Sequence, residues 1–195
     1  MRILTLIFAA ILITGCVTLP MKVSQESLQS NKGVILASVT KNGGTDVWFY
    51  YKKIGDSKAK RMDAVGLSMI GVADDFPNDK NKQGRVLAFQ VDPGEYELIK
   101  WTIYDYSLNY YKYISPKSIN PIRFTVRANR VTYLGNLHVD TIKGKNIFGA
   151  PIIIGGRATI KNNYSQDIAI FKKKYPNLSN LPIDTQVHTI SGWGE

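Results

Sequence analysis

The sequence predicts a mainly β protein, an antiparallel sandwich of about seven strands with one helix near its C-terminus. Three observations carry this expectation. Short runs rich in β-branched and aromatic residues recur along most of the chain. Two breaks between them are turn sequences: Asn42-Gly43-Gly44, whose residues tolerate positive φ, and Asp92-Pro93-Gly94. Helical periodicity is confined to a stretch near residue 170.

The β-type runs fall at 34–39, 46–54, 85–91, 95–104, 122–126, 131–139 and 152–160. At the second break Pro93 presets φ for the first corner and Gly94 can take the left-handed one, so a tight hairpin is expected there. In the run at 95–104, Tyr96 and Leu98 share a face until Ile99 and Trp101 claim the other, which predicts a strand covered on both sides. Residues 55–84 read as a long charged connection with a short strand or helix inside, where 64–73 is apolar enough to pack. The helix is expected over 165–175. Asn163 or Ser165 caps it, Asp167 lies in its first turn, Lys172, Lys173 and Lys174 suit the dipole of its last turn, and Pro176 stops it. Ile168, Phe171 and Tyr175 form the stripe that meets the sandwich. Residues 177–195 read as an extended tail, docked through Leu181, Ile183 and Val187.

The beginning of the chain predicts where the protein resides. Met1 and Arg2 precede an apolar run over 3–13 broken by Thr5, too short for a spanning helix of roughly 20 residues and suited to a cleaved signal. The run ends in Ile13-Thr14-Gly15-Cys16, which resembles the bacterial lipobox, whose cysteine receives a diacylglyceryl group. That resemblance implies a signal peptide over 1–15, lipidation at Cys16, a polar tether over 16–32 and a folded domain over 33–195. Two or three acyl chains hold a protein firmly, at ~0.8 kcal/mol per buried methylene. Val17 stands where lipoproteins kept at the inner membrane usually carry Asp, which by the same resemblance implies the periplasmic face of the outer membrane in a double-membraned bacterium, and an extracytoplasmic membrane anchor in a single-membraned one. Cys16 is the one cysteine, so no intramolecular disulfide supports the fold.

Loss of residues 1–15 leaves 180 residues, enough for one domain, and removes Arg2 from the 25 Lys and Arg set against 15 Asp and Glu, giving +9. Past the inner membrane such a charge points away from nucleic acid and toward anionic envelope polymers and lipid headgroups. The cations form separate short groups: Lys58, Lys60 and Arg61; Lys80, Lys82 and Arg85; Lys143 and Lys145; Lys172 to Lys174.

The phrase Val91-Asp92-Pro93-Gly94-Glu95-Tyr96-Glu97-Leu98 resembles the V-x-P-G-x-Y-x-L hairpin of transthyretin-like and carboxypeptidase-regulatory-like sandwiches. Val131-Thr132-Tyr133-Leu134-Gly135-Asn136-Leu137, with the later 167–176 stretch, is similar to the C-terminal half of bacterial lipoproteins that carry such domains. These resemblances imply an immunoglobulin- or transthyretin-like sandwich of a usually non-catalytic kind.

Catalytic signals are weak. His138 and Asp140 can project from one strand face, yet no G-x-S-x-G elbow accompanies them, and Ser57-Lys58-Ala59-Lys60 lacks the companion motifs of an S-x-x-K enzyme. Asp74, Asp75 and Asp79 lack the spacing of a calcium loop, so they read as a turn, and no cofactor is expected. The alternative of an envelope hydrolase rests on Asp74, Asp75, Asp105 and Asp140. The candidate binding residues are in Lys100 to Tyr113: Trp101, Tyr104, Tyr106, Tyr110, Tyr111 and Tyr113, with Lys100 and Lys112 beside them. Rings with a polar handle can stack on sugars or anchor a protein, and the lysines can meet carboxylates or phosphates. The expected function is therefore a non-enzymatic, membrane-anchored module for an envelope protein or an anionic glycan.

Overall fold

In the computed structural model, which describes residues 27–42, 45–64, 74–79, 82–105 and 112–194, strand β1 (Gly33–Lys41) is buried along its whole length. Its near-continuous apolar run suits a strand covered on both faces. Ile35, Ala37 and Val39 point to one core, and Val34 and Leu36 to another. The first core lies between two sheets, and the second between one sheet and the helix.

The strands after β1 are β2 (Asp46–Lys53), β3 (Lys60–Ala64), β4 (Gln83–Val91), β5 (Gly94–Asp105), β6 (Lys112–Ile114), β7 (Ile122–Val126), β8 (Val131–Lys145) and β9 (Pro151–Lys161). Helix α1 (Tyr164–Lys174), a short 3₁₀ turn (Pro176–Leu178), β10 (Ile183–Thr185) and β11 (Ile190–Ser191) complete the described chain. The first sheet has the order β11-β9-β8-β1-β4, with β10 continuing along β8; the second has the order β3-β2-β5-β6, with β7 also on β5. All seven expected runs are strands. Four short ones join them: β3 and β6 pair with the nearby β2 and β5, while β10 and β11 pair with β8 and β9, more distant in sequence. The charged connection at 55–84 contains β3, while 65–73 lies outside the described residues, as do Cys16 and the signal segment. No helix among the described residues is long and apolar enough to cross a membrane.

Two local expectations change. Asp92-Pro93-Gly94 joins β4 of the first sheet to β5 of the second, so the turn passes between sheets and makes no hairpin. Asn42-Gly43-Gly44 likewise separates strands of different sheets. Gly94 does take positive φ, at 146°. The crossing is fastened by Tyr96, whose O–H donates to the Asp92 carbonyl at 2.7 Å, and by Lys53, whose Nζ donates to that of Pro93 at 2.8 Å. The sandwich is also not wholly antiparallel: β1 and β10 both run parallel to β8.

The helix stripe is as expected, with Ile168, Phe171 and Tyr175 buried against Val86, Ala88 and Tyr133. Asn163 is the cap position but makes no side-chain capping bond, and Asn162 Oδ1 accepts from the Tyr164 amide instead at 3.1 Å. Lys172 and Lys173 face water, whereas Lys174 turns inward to Asp75 Oδ2 at 2.5 Å and the Val86 carbonyl at 3.0 Å. The tail docks as two short strands, β10 on β8 and β11 on β9, followed by buried Trp193. Residues 27–32 of the expected tether lie against β4: the Gln29 amide donates to Gln90 Oε1, and Gln90 Nε2 to the Ser27 carbonyl.

Candidate functional site

The helix covers the outer side of the first sheet, and the outer side of the second sheet carries an aromatic and cationic cluster. Alternation in β2 sends Val47, Phe49 and Tyr51 inward and leaves Trp48 and Tyr50 half-exposed. In β5 the change of phase at Ile99 is a β-bulge, where Tyr50 pairs with Lys100 but Tyr51 with Leu98. The bulge keeps Tyr96, Leu98, Trp101 and Ile103 all in the core, and turns Lys100, Thr102 and Tyr104 outward.

This separates the expected binding residues. Trp101 is 2% exposed, and its Nε1–H donates to the Trp193 carbonyl at 2.7 Å, so it belongs to the core and is not a surface ring. Trp193 in turn stacks on Phe49 and donates from Nε1 to the Asn120 carbonyl. Tyr104 and Tyr113 pair across β5 and β6, with ring centroids 5.1 Å apart. Lys100 and Lys112 are exposed, Lys100 on the outward side of β5 and Lys112 at the register position of Asp105. Tyr106, Tyr110 and Tyr111 lie outside the described residues.

Sequence reasoning missed Trp48, Tyr50 and Arg61, which the pairing of β2 with β3 and β5 brings to the same face. Trp48 stacks on Tyr104 at 5.3 Å and 15°, and lies 5.8 Å from Tyr113. The Arg61 guanidinium lies 4.2 Å from the Trp48 ring centroid, a cation–π distance, while its Nη2 donates to Asp63 Oδ2 at 2.9 Å. Lys100 Nζ lies 5.6 Å from the Tyr50 ring. The signal available was the alternation in Val47-Trp48-Phe49-Tyr50-Tyr51, which places two rings on each side of one strand.

Tyr113, 63% exposed, is the ring this cluster presents to solvent, braced behind by Trp48 and Tyr104. Arg61 and Lys100 share this face, over Trp48 and Tyr50 respectively, with Asp63 as a partial counter-charge, while Lys112 is exposed at the register position of Asp105. Such a face can stack on an apolar sugar face and meet an acidic substituent with a cation. Among its described residues no nucleophile is hydrogen-bonded to a base.

The other polar candidates have structural bonds. Asp74 Oδ1 accepts from the amides of Phe76 and Gly84, and Asp75 Oδ2 from the Val86 amide and Lys174, so this pair fastens its loop to β4 and α1. His138 and Asp140 do share a face, in a polar ladder along β1 and β8. His138 Nδ1 meets Thr40 Oγ1 at 2.8 Å, His138 Nε2 meets Asp140 Oδ1 at 3.2 Å, and Asn42 Nδ2 donates to that same oxygen at 2.7 Å. Asp105 is buried in β5 at the register position of Lys112. No group of three or more His, Cys, Asp or Glu capable of holding a metal ion occurs among the described residues. An open cleft of about 660 Å³ runs between the segment before β7 and the tail, lined by Asn120, Arg123, His188 and Trp193 among others.

No family model matches the chain, and no curated protein matches it. Among solved structures, a leucine-rich repeat protein from Bacteroides thetaiotaomicron is similar at 16% identity over 55% of this chain, with a TM-score of 0.34. The chain spans 14% of that protein's length, and a likeness of this degree carries no conclusion about fold or function.

Proposed function

We propose that this protein is a lipid-anchored envelope lipoprotein whose sandwich is a non-catalytic module for an anionic glycan, held on the outer face of the second sheet. The observation that carries the reading is the cluster of Trp48, Tyr104 and exposed Tyr113, with Arg61 over Trp48 and Lys100 over Tyr50 on the same face. Exposed rings lose little side-chain freedom on stacking, and cations beside them favour a ligand that bears carboxylates or phosphates. The net charge of +9 expected for the mature chain acts in the same direction over longer range. The anchor and the outer-membrane address rest on Ile13-Thr14-Gly15-Cys16 and on Val17.

Affinity electrophoresis in gels containing either polygalacturonate, an acidic polymer, or dextran, a neutral one, tests the binding. The folded domain should be retarded by polygalacturonate and much less by dextran. Tyr113→Ala and Arg61→Gln should each weaken retention about tenfold or more, the size typical of a residue at the centre of an interface. Equal behaviour in the two gels, or no effect of Tyr113→Ala, contradicts the assignment. For the anchor, cells fed labelled palmitate should label the wild-type protein and leave Cys16→Ala unlabelled; label in the variant would refute lipidation at Cys16.

A further inference from the structure

Beyond Val139, β8 leaves β1 and pairs with β9 alone, so residues 140–157 form a two-stranded arm. At its tip, Ile147 is 92% and Phe148 86% exposed, the two most exposed large apolar side chains among the described residues. Their exposure is not fraying. Asn146 organises the turn: its Oδ1 accepts from the amides of Phe148 and Ala150 at 3.0 and 2.9 Å. The Asn146 amide donates to the Ala150 carbonyl and the Gly149 amide to that of Asn146, both at 2.9 Å. Gly149 supplies the φ of +79° that closes the turn. Four of the five amides from 146 to 150 are thus already hydrogen-bonded.

The residues behind the tip add two features. Ile142 and Ile154 are 46% and 55% exposed on the arm. From 141 to 156 the chain carries Lys143 and Lys145 and no Asp or Glu.

We infer that the tip of this arm inserts Ile147 and Phe148 into the surface of an anionic lipid bilayer, with Lys143 and Lys145 at the headgroup phosphates. Three considerations select a bilayer over a protein partner. Two side chains offer a few hundred Å² at most, against roughly 800 Å² per partner in a stable protein complex, whereas shallow insertion needs no complementary pocket. Backbone amides that enter the interface already bonded carry little desolvation cost. Cations in a stretch with no acid from 141 to 156 match a surface of negative potential and no particular geometry. The inference stands apart from the glycan reading and from the lipid on Cys16, since it uses neither.

Flotation with vesicles tests it on the chain from Val17 onward, which lacks Cys16 and retains every described residue. This chain should float with vesicles of phosphatidylglycerol and phosphatidylcholine in equal parts, and at least tenfold less with phosphatidylcholine alone. Ile147→Asn combined with Phe148→Asn should reduce flotation tenfold or more while leaving the circular dichroism spectrum unchanged, because neither side chain belongs to a core. Lys143→Gln with Lys145→Gln should weaken binding and its salt dependence. Phe148→Trp should add fluorescence that shifts to the blue with vesicles and is quenched by brominated acyl chains. No flotation, flotation that survives loss of both tip side chains, or Phe148→Trp emission untouched by brominated chains would overturn the proposal. A protein crosslinked through position 148 in the absence of vesicle binding would assign the tip to that partner instead.

Discussion

Asp167 shows how one buried side chain can link the helix to the first sheet. Ser38 Oγ and the Tyr133 O–H donate to its Oδ2 at 2.6 and 2.7 Å, while Oδ1 is buried with no hydrogen-bond partner among the described residues. Asn136 Nδ2 continues the chain of bonds by donating to Ser38 Oγ at 2.8 Å. Burial lifts the Asp167 pKa above the ordinary carboxylate range; the two donated bonds and the charge of Lys82 oppose the shift without cancelling it. The folded chain therefore keeps this proton to higher pH than the unfolded chain does. That contribution to stability is complete below the unfolded value of about 3.9 and is lost as pH rises through the raised folded value. Asp167→Asn cannot ionise, so its stability relative to wild type should improve as pH rises from 4 to 7, read from urea midpoints at both ends; a constant difference would refute the account. The sequence places Asp167 in the first helical turn, where a solvated acid complements the dipole. Its bond to Ser38, 129 positions away, has no local signature, and this is why the burial was not legible.

At the scale of elements, bulges decide which side chains share a face. In β8, Leu36 pairs with Tyr133 but Ser38 with Asn136, so Gly135 is taken up in a bulge at φ +98°. This shift puts Val131, Tyr133, Asn136 and His138 on the helix side, and Leu134, Leu137 and Val139 in the core between the sheets. A Cβ on Gly135 would meet the Lys161 carbonyl oxygen at 2.7 Å, whereas one on Gly149, at φ +79°, would meet nothing within 4 Å. Gly149→Ala should cost about 1–2 kcal/mol from its backbone alone. Gly135→Ala should cost more, about 3 kcal/mol or above, because strain is joined by a backbone clash. Urea unfolding of the two variants checks the order, and equal losses would count against the bulge as the cause. The seven principal strands and the helix were legible because periodicity and turn residues are local properties. The hairpin expected at Asp92-Pro93-Gly94 failed because Pro and Gly specify a corner and carry no information on which sheet receives the next strand. Trp101 failed for a related reason: the bulge at Ile99 returns it to the core.

For the whole molecule, the layers run from helix to first sheet to second sheet, with one apolar core in each gap. The helix covers the outer side of the first sheet, where the polar ladder lies. The outer side of the second sheet carries Trp48, Tyr104 and Tyr113, and this placement makes it the candidate binding face. Two of its tyrosines were legible from the run of rings after Lys100. Trp48 and Arg61 came from elsewhere in the chain, joined by strand pairing that periodicity does not reveal. An amide and indole NMR titration of the folded domain with oligogalacturonate reports directly on whether this face binds an acidic glycan. Perturbations should concentrate on β2, β3, β5 and β6, led by Tyr113, Arg61 and the Trp48 indole, and be reduced by Tyr113→Ala. Perturbations gathered instead at the cleft of Asn120, His188 and Trp193, or none at saturating ligand, would contradict it.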